Sequence, residues 1–192
     1  MFGPEHPRLS GLGGLGAGTT GLDTALPGFG AFGTTGAPCF NQSSSAYVRI
    51  AGLIRTRREY PVLRYGRQYL RQVSNFGAPF SSSGSGELIA WSRILDDEEV
   101  LCIVNGHGLE PRGGDVVVDA NLNAVSAPGH PWGGTAPVFT VIANSAQSAA
   151  GASYTGSHFV GEHIAVLKRD NCLYVSIRNV GPSEVVLLTN RH

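Results

Sequence analysis

Two periods of apolar and polar positions divide this 192-residue chain. Tyr47, Ile50, Ala51 and Ile54 recur at helical spacing, behind the hydroxyls of Ser43, Ser44 and Ser45 and ahead of Arg55, Arg57 and Arg58. Serine hydroxyls satisfy the orphan amides at a helix start, and cations suit its end, so the pattern predicts a helix over 45–60. Pro61 stops it. A helix of about 15 residues is marginal alone in water, so this one must draw its stability from burying its apolar stripe.

Beyond Pro61 the period drops to two. Runs at 67–74, 87–95, 100–105, 115–120, 138–144, 164–168, 172–178 and 184–189 read as strands, separated by Gly-, Pro- and Asn-bearing turns. Within 172–178, Leu173, Val175 and Ile177 fall on one face and Tyr174, Ser176 and Arg178 on the other. Trp91 shares a face with Ile89 and Leu95, which by the logic of half-buried sheets is the core side. The second and third runs form a hairpin across Asp96-Asp97-Glu98. These features predict a mainly β class: an antiparallel two-sheet sandwich of about eight strands with Greek-key connections.

Residues 1–44 show neither period. Pro4, Pro7, Pro27 and Pro38 punctuate a glycine-rich stretch in which Phe29, Phe32 and Phe40 are too apolar for a solvated linker. An irregular loop of this length is uncommon inside a compact domain, and such loops are functional or torn from their context.

Composition narrows the function classes. Fourteen basic residues balance fourteen acidic ones, so no long-range field draws in nucleic acid or anionic lipid. Nucleic acid is excluded as an expected partner. No apolar run is long enough to span a membrane, and the first residues lack the pattern of a signal peptide. Of three cysteines, Cys102 and Cys172 fall within strands, where a thiol acts as a small hydrophobe, so buried free thiols are expected.

The candidate chemical motifs are thin. Gly11-Leu12-Gly13-Gly14-Leu15-Gly16 matches a phosphate-cradling pattern but lacks the strand before and the helix after that the mechanism needs. Asp96-Asp97-Glu98-Glu99 places four carboxylates on a hairpin tip, where they are expected to point into water. Glycoside hydrolysis needs two carboxyl groups on opposite sides of the scissile bond, and no pair here is assigned that role. His6, His107, His130, His158, His163 and His192 are scattered without metal-ligand spacing and default to surface or turn positions. No metal, cofactor or catalytic residue is assigned. Ser83-Gly84-Ser85-Gly86 is not a nucleophile elbow, and Asn41-Gln42-Ser43 is a glycosylation sequon too short to weigh alone.

The segment YVRIAGLIRTRREYPVLRYGRQY, from Tyr47 to Tyr69, resembles the last barrel helix of alpha-amylase-family glycoside hydrolases and the linker into their C-terminal β-domain. LPGFGAFGTTGAPCFN, from Leu26 to Asn41, resembles the loop between the eighth strand and eighth helix in a bacterial-looking branch. ELIAWSRILDDEEVLCIVNGH, from Glu87 to His107, and VGPSEVVLLTN, from Val180 to Asn190, resemble its terminal sandwich.

The resemblance implies a division into residues 1–64, a remnant of an incomplete (β/α)8 barrel, and residues 65–192, a C-terminal β-sandwich. It implies α-glucans as substrates of the parent, with the missing remainder of the barrel as this chain's partner. The family's aspartate nucleophile, glutamate acid/base and second aspartate lie on earlier barrel strands and have no counterpart here, so the chain is expected to be inactive alone. Barrel active sites are walled by the loops that follow each strand, so Phe2, Phe29 and Phe32 become cleft-wall candidates. A bacterial cytoplasm is the favoured compartment. Two rival readings are a free-standing carbohydrate-binding module, with Trp91, Trp132 and Tyr154 as candidate rings, and an interaction protein that docks through its helix and loop.

Overall fold

The computed structural model describes residues 45–84, 87–124 and 137–191. Phe2, Phe29, Phe32, Cys39, Trp132, the sequon and the glycine motif lie outside the described residues, as do His6, His130 and His192. Helix α1 (Ser45–Glu59) is followed by a single turn, α2 (Val62–Tyr65). Nine strands come next: β1 (Arg67–Arg71), β2 (Val73–Ser74), β3 (Leu88–Leu95), β4 (Glu98–Asn105), β5 (Arg112–Val117), β6 (Val138–Asn144), β7 (His163–Arg169), β8 (Cys172–Val180) and β9 (Val185–Thr189). A short helix α3 (Ser145–Ala150) and a 3-10 turn (Gly151–Ser153) join β6 to β7. Among the described residues no helix is long and apolar enough to cross a membrane. The chain divides between Gly52 and Leu53, and the sheet belongs to the unit that starts at Leu53.

Each expected strand has a counterpart, and the ninth arises from one division. The run expected at 67–74 breaks at Gln72 into β1, which pairs with β3, and β2, which pairs with β5. The sheet runs β1-β3-β4-β9-β6-β7-β8-β5-β2, with antiparallel pairing throughout. Its two end positions are thus filled by consecutive stretches of one strand, and the sheet curls round its own core. β7 turns the other corner, pairing with β6 through 163–165 and with β8 through 166–169.

Two glycines make close approaches possible. A Cβ at Gly66, between α2 and β1, would lie 2.6 Å from the Val62 carbonyl oxygen and 2.9 Å from that of Ile94. At Gly113, where β5 bulges against β8, it would strike Phe76 Cζ at 2.7 Å and Ile177 O at 2.9 Å. Asp170 and Asn171 turn the β7–β8 hairpin with φ of 50° and 61°, as a two-residue type I′ loop requires.

Inside the curl, Leu101, Ile103, Phe139, Val175, Ile177 and Leu188 are fully buried. Each contributes on the order of 1.5–3 kcal/mol relative to exposure. The expected alternation of 172–178 holds: Leu173, Val175 and Ile177 face this core. β4 departs from alternation, since Val100, Leu101, Cys102 and Ile103 are all buried. Its outward residues Val100 and Cys102 join Val62, Ala143 and Leu187 in a second core, margined by Leu53, Tyr60, Leu63, Trp91 and Leu95. Trp91 and Leu95 therefore pack on the outer core, while Ile89 on the same face remains 44% exposed. The expected stripe of α1 is corrected in the same way: Tyr47, Ile50 and Ile54 are exposed, whereas Thr56 is buried and Leu53 touches the second core. Cys102 is buried as expected; Cys172, at the start of β8, is only half-buried, and both are free thiols.

Three polar clusters fasten the sheet and overturn two expectations. The hairpin carboxylates Glu98 and Glu99 do not point into water but are buried. Glu99 accepts from Ser92 Oγ, Arg71 Nη2 (2.9 Å), Asn123 Nδ2 (2.6 Å) and the Asp119 amide (3.0 Å). This ties the bent first strand to the segment after β5. Asp115 pairs with Arg169 at 2.7 Å, and the Arg169 guanidinium lies over the rings of Phe80 and Tyr174. Glu184 accepts from Asn144 Nδ2 (2.5 Å), Tyr154 Oη (2.9 Å) and the Gly181 amide (2.7 Å), while Asn144 Oδ1 caps α3. His158, expected at the surface, is also buried here: its Nε2 accepts from the Arg178 amide at 3.0 Å and its Nδ1 faces Glu162 at 3.1 Å.

Replacing Glu99 by Ala takes the buried carboxylate away from Arg71, Ser92 and Asn123, leaving Asp119 as the acceptor shared by Arg71 and Asn123, and should lower stability by about 3–5 kcal/mol, read from urea denaturation. Burial, then the hydrogen bond and charge of Glu184, push the Tyr154 phenol from 10.0 up to about 12. The folded chain thus holds this proton more tightly than the unfolded one. The resulting stability is intact below pH 10 and is lost as pH rises towards 12. Burial pushes the Cys102 thiol from 9.0 to about 12, with the same sign. Tyr154→Phe should therefore show a shallower fall in denaturation midpoint across that alkaline window than the parent chain.

Candidate functional site

The outer face of the sheet gathers polar side chains into one place because of strand register. Thr189 of β9 pairs with Thr140 of β6, and Thr140 pairs with His163 of β7. Residues directly opposite in a ladder point to the same face, so these three side chains form one rung. Val100 of β4 stands at the end of that rung, opposite Thr189. Two residues along each strand, Glu98 and Arg191 meet on the same face, with Arg191 Nη1 3.3 Å from Glu98 Oε2. β6 carries an extra residue, Ile142, where its register with β9 shifts between Val141 and Ala143. Such a bulge re-aims side chains, and here it sets both Ile142 and Ala143 against the second core.

Tyr60, the residue after α1, closes the group from above the sheet. Together Tyr60, Thr140, Ile142, His163, Thr189 and Arg191 line an open depression of about 520 Å³. Thr140 Oγ1 and His163 Nδ1 are 2.9 Å apart, and Thr189 Oγ1 accepts from the Arg191 amide at 3.2 Å. Burial, then the carboxylates of Glu59 and Glu98, raise the Tyr60 phenol above its ordinary value. Glu98 is 6% exposed, and its second oxygen, Oε1, has no hydrogen-bond partner. Leaving a charged acceptor buried and unpartnered costs about 1–3 kcal/mol or more. A second, smaller depression of about 330 Å³ lies between Leu70, Ile89 and the stretch 82–84.

The sequence-derived candidates are not brought together. Trp91 packs on the second core beside Cys102, its partner in register. Tyr154 is half-buried and bonded to Glu184. Each has a structural task, and the two sit on different elements. Among the described residues no group of three or more His, Cys, Asp or Glu side chains is placed to hold a metal ion. The buried carboxylates Glu99, Asp115 and Glu184 each serve a polar cluster of the sheet.

The lining of the larger depression escaped the sequence reading. Thr140 and Thr189 are hydroxyls in otherwise apolar strands, a faint signal of an outward polar spot. Their adjacency to His163 depends on strand order, which no local pattern carries.

No protein-family model matches this sequence, and no curated protein matches it. Among solved structures, an alpha-amylase from H. orenii is 16% identical over 79% of this chain and 21% of its own, with a TM-score of 0.40. CldA, a cyclomaltodextrin glucanotransferase with a three-domain ABC distribution, is 19% identical over 79% of this chain and 23% of its own, with a TM-score of 0.43. This chain spans about a fifth of the length of the solved structures it is similar to.

Proposed function

We propose that this chain is the C-terminal part of an alpha-amylase-type glycoside hydrolase acting on α-glucans, in which residues 65–192 form a supporting, non-catalytic β-sandwich. Residues 1–64 are then the last loop and helix of the catalytic barrel, with Phe2, Phe29 and Phe32 on the cleft wall, and the bacterial cytoplasm is the compartment we favour. The strand order β9-β6-β7-β8 fits the Greek-key arrangement, three consecutive strands with a fourth returning beside the first.

The observation that carries this reading is the half-covered apolar face of α1. α1 reaches the second core through Leu53 and leaves Tyr47, Ile50 and Ile54 exposed at 37%, 56% and 47%. At 100° per residue these three share one side. With Leu53 they form one apolar arc about 120° wide, covered only at its Leu53 edge; such a helix suits the layer between a sheet and a further packed body, and the barrel of the proposed parent is that body.

The isolated chain should release no reducing sugar from soluble starch or maltooligosaccharides, while the full-length parent does; turnover by the purified chain would end the proposal. The bare stripe also has a physical signature. The isolated chain should self-associate in a concentration-dependent way by light scattering, and Ile50→Glu with Ile54→Glu should shift it towards monomer. An isolated, unsubstituted chain that is monomeric at every concentration would show that the stripe needs no cover.

A further inference from the structure

We propose that the open edge of β1 is a docking site for an extended segment of a partner protein, added antiparallel along Arg67–Arg71, with an apolar side chain first and carboxylates after it. The inference stands on the sheet edge and its charges and does not depend on the family proposed above.

The two ends of the sheet are finished differently. At the β2 end, Val73 is bridged to Ser81 by a reciprocal pair of backbone hydrogen bonds of 2.9 and 3.0 Å, which seals it. At the other end β1 pairs with β3 alone, and among the described residues no backbone group of 67–71 bonds to the backbone of any further segment. Such an edge is a row of unmatched amides and carbonyls, which proteins ordinarily blunt with proline, a bulge or charge. β1 has no proline, and its register with β3 runs from Arg67 to Arg71 without a shift. Four of its five residues are exposed, Leu70 at 81%. Main-chain pairing is thus on offer, and the side chains decide who takes it.

Leu70 stands opposite Trp91 in register and so shares a face with Ile89; both border the depression of about 330 Å³ beside 82–84. This end of β1 suits an apolar side chain. The other end is basic. Arg67 is exposed on the strand, and Arg93, opposite Gln68, lies with Nη1 3.3 Å from Gln68 Oε1 and Nη2 3.4 Å from the Arg64 carbonyl oxygen. The Nε atoms of Arg64 and Arg93 are buried without a hydrogen-bond partner. Among the described residues Arg64, Arg67 and Arg93 make no ion pair, whereas Arg71, Arg112, Arg169 and Arg191 each have a carboxylate.

Uncompensated cations at one end of an open edge call for anions there, even though the whole chain is neutral. A second copy of this chain does not supply them. An antiparallel pair of copies centred on Tyr69 sets Arg67 opposite Arg71 at both ends, and like charges facing across strands are destabilising. Nucleic acid brings anions but no amides and carbonyls to match the edge. A polypeptide that runs apolar first and acidic second fits both ends: one carboxylate opposite Gln68 lies beside Arg93, and one opposite Arg67 faces its guanidinium.

The test is an amide-resolved NMR titration of the full chain with the peptide acetyl-Thr-Val-Thr-Glu-Glu-Thr-amide, whose valine then lies opposite Leu70 and whose glutamates lie opposite Gln68 and Arg67. The expected result is saturable shifts at 67–71, slowed amide exchange in β1, and weaker binding as salt rises. Arg67→Glu should weaken binding roughly tenfold and Leu70→Ala several-fold, while Lys168→Glu, the same charge change on β7, leaves it unaltered. Arg67 and Leu70 are exposed, so their replacement leaves the fold intact, which each variant's own spectrum verifies. Equal binding by a fully N-methylated copy of the peptide would remove the backbone pairing, and equal binding by a copy with lysine for glutamate would remove the role of the arginines. Either result, shifts centred elsewhere, no saturable binding, saturation by hexauridylate in place of the peptide, or the same shifts on concentrating the chain alone would overturn the assignment.

Discussion

Everything outside the inner core depends on β4 being buried on both faces. An antiparallel strand ordinarily keeps one face wet, and its sequence then alternates. Here Val100 and Cys102 turn outward into apolar contact while Leu101 and Ile103 turn inward. The second core brings Val62, Leu53 and Tyr60 onto the sheet, and Tyr60 in turn forms one wall of the depression. Without that outward apolar face, the helix end and the polar rung of Thr189, Thr140 and His163 would have no reason to meet.

Charge is handled by enclosure. Glu99, Asp115 and Glu184 each sit among donors from segments far apart in sequence, such as Arg71 and Asn123 around Glu99. Removing one partner of such a pair is costly because the other remains buried, so these clusters specify which loops lie together more than they add net stability. Glu98 is different. It has one partner for two oxygens, and that partner is mostly in solvent.

Most of the strand content was legible, because alternation in runs such as 172–178 reports directly on which side is buried. The failures have physical causes. Gly113 and Gly114, the second and third residues of β5, have no side chains to show a pattern, so the strand starts earlier than its apolar residues suggest. Gln72 gives no local sign that the backbone changes partners there. Glu98 and Glu99 follow two aspartates and look like a solvated tip, yet burial depends on Arg71, Asn123 and Arg191, which lie 20 or more residues away in sequence. The stripe of α1 was read with the correct period, but Leu53, at its edge, was not named as the residue that reaches the second core, while Ile54 stays exposed. The polar depression was illegible for the same reason as strand order: it is written in pairings between distant segments.

The bend at Gln72 carries a consequence for how this chain folds and fails. A strand whose two halves are hydrogen-bonded to opposite ends of the same sheet leaves no half of the sheet that can peel off by itself. Release of β1 from β3 pulls on β2, and release of β2 from β5 pulls on β1, so partial opening is discouraged and loss of structure becomes concerted. The same arrangement delays assembly, because the ring is completed only when residues brought from far along the sequence have already paired. A polypeptide built this way trades speed of folding for an all-or-none hold on its two end strands.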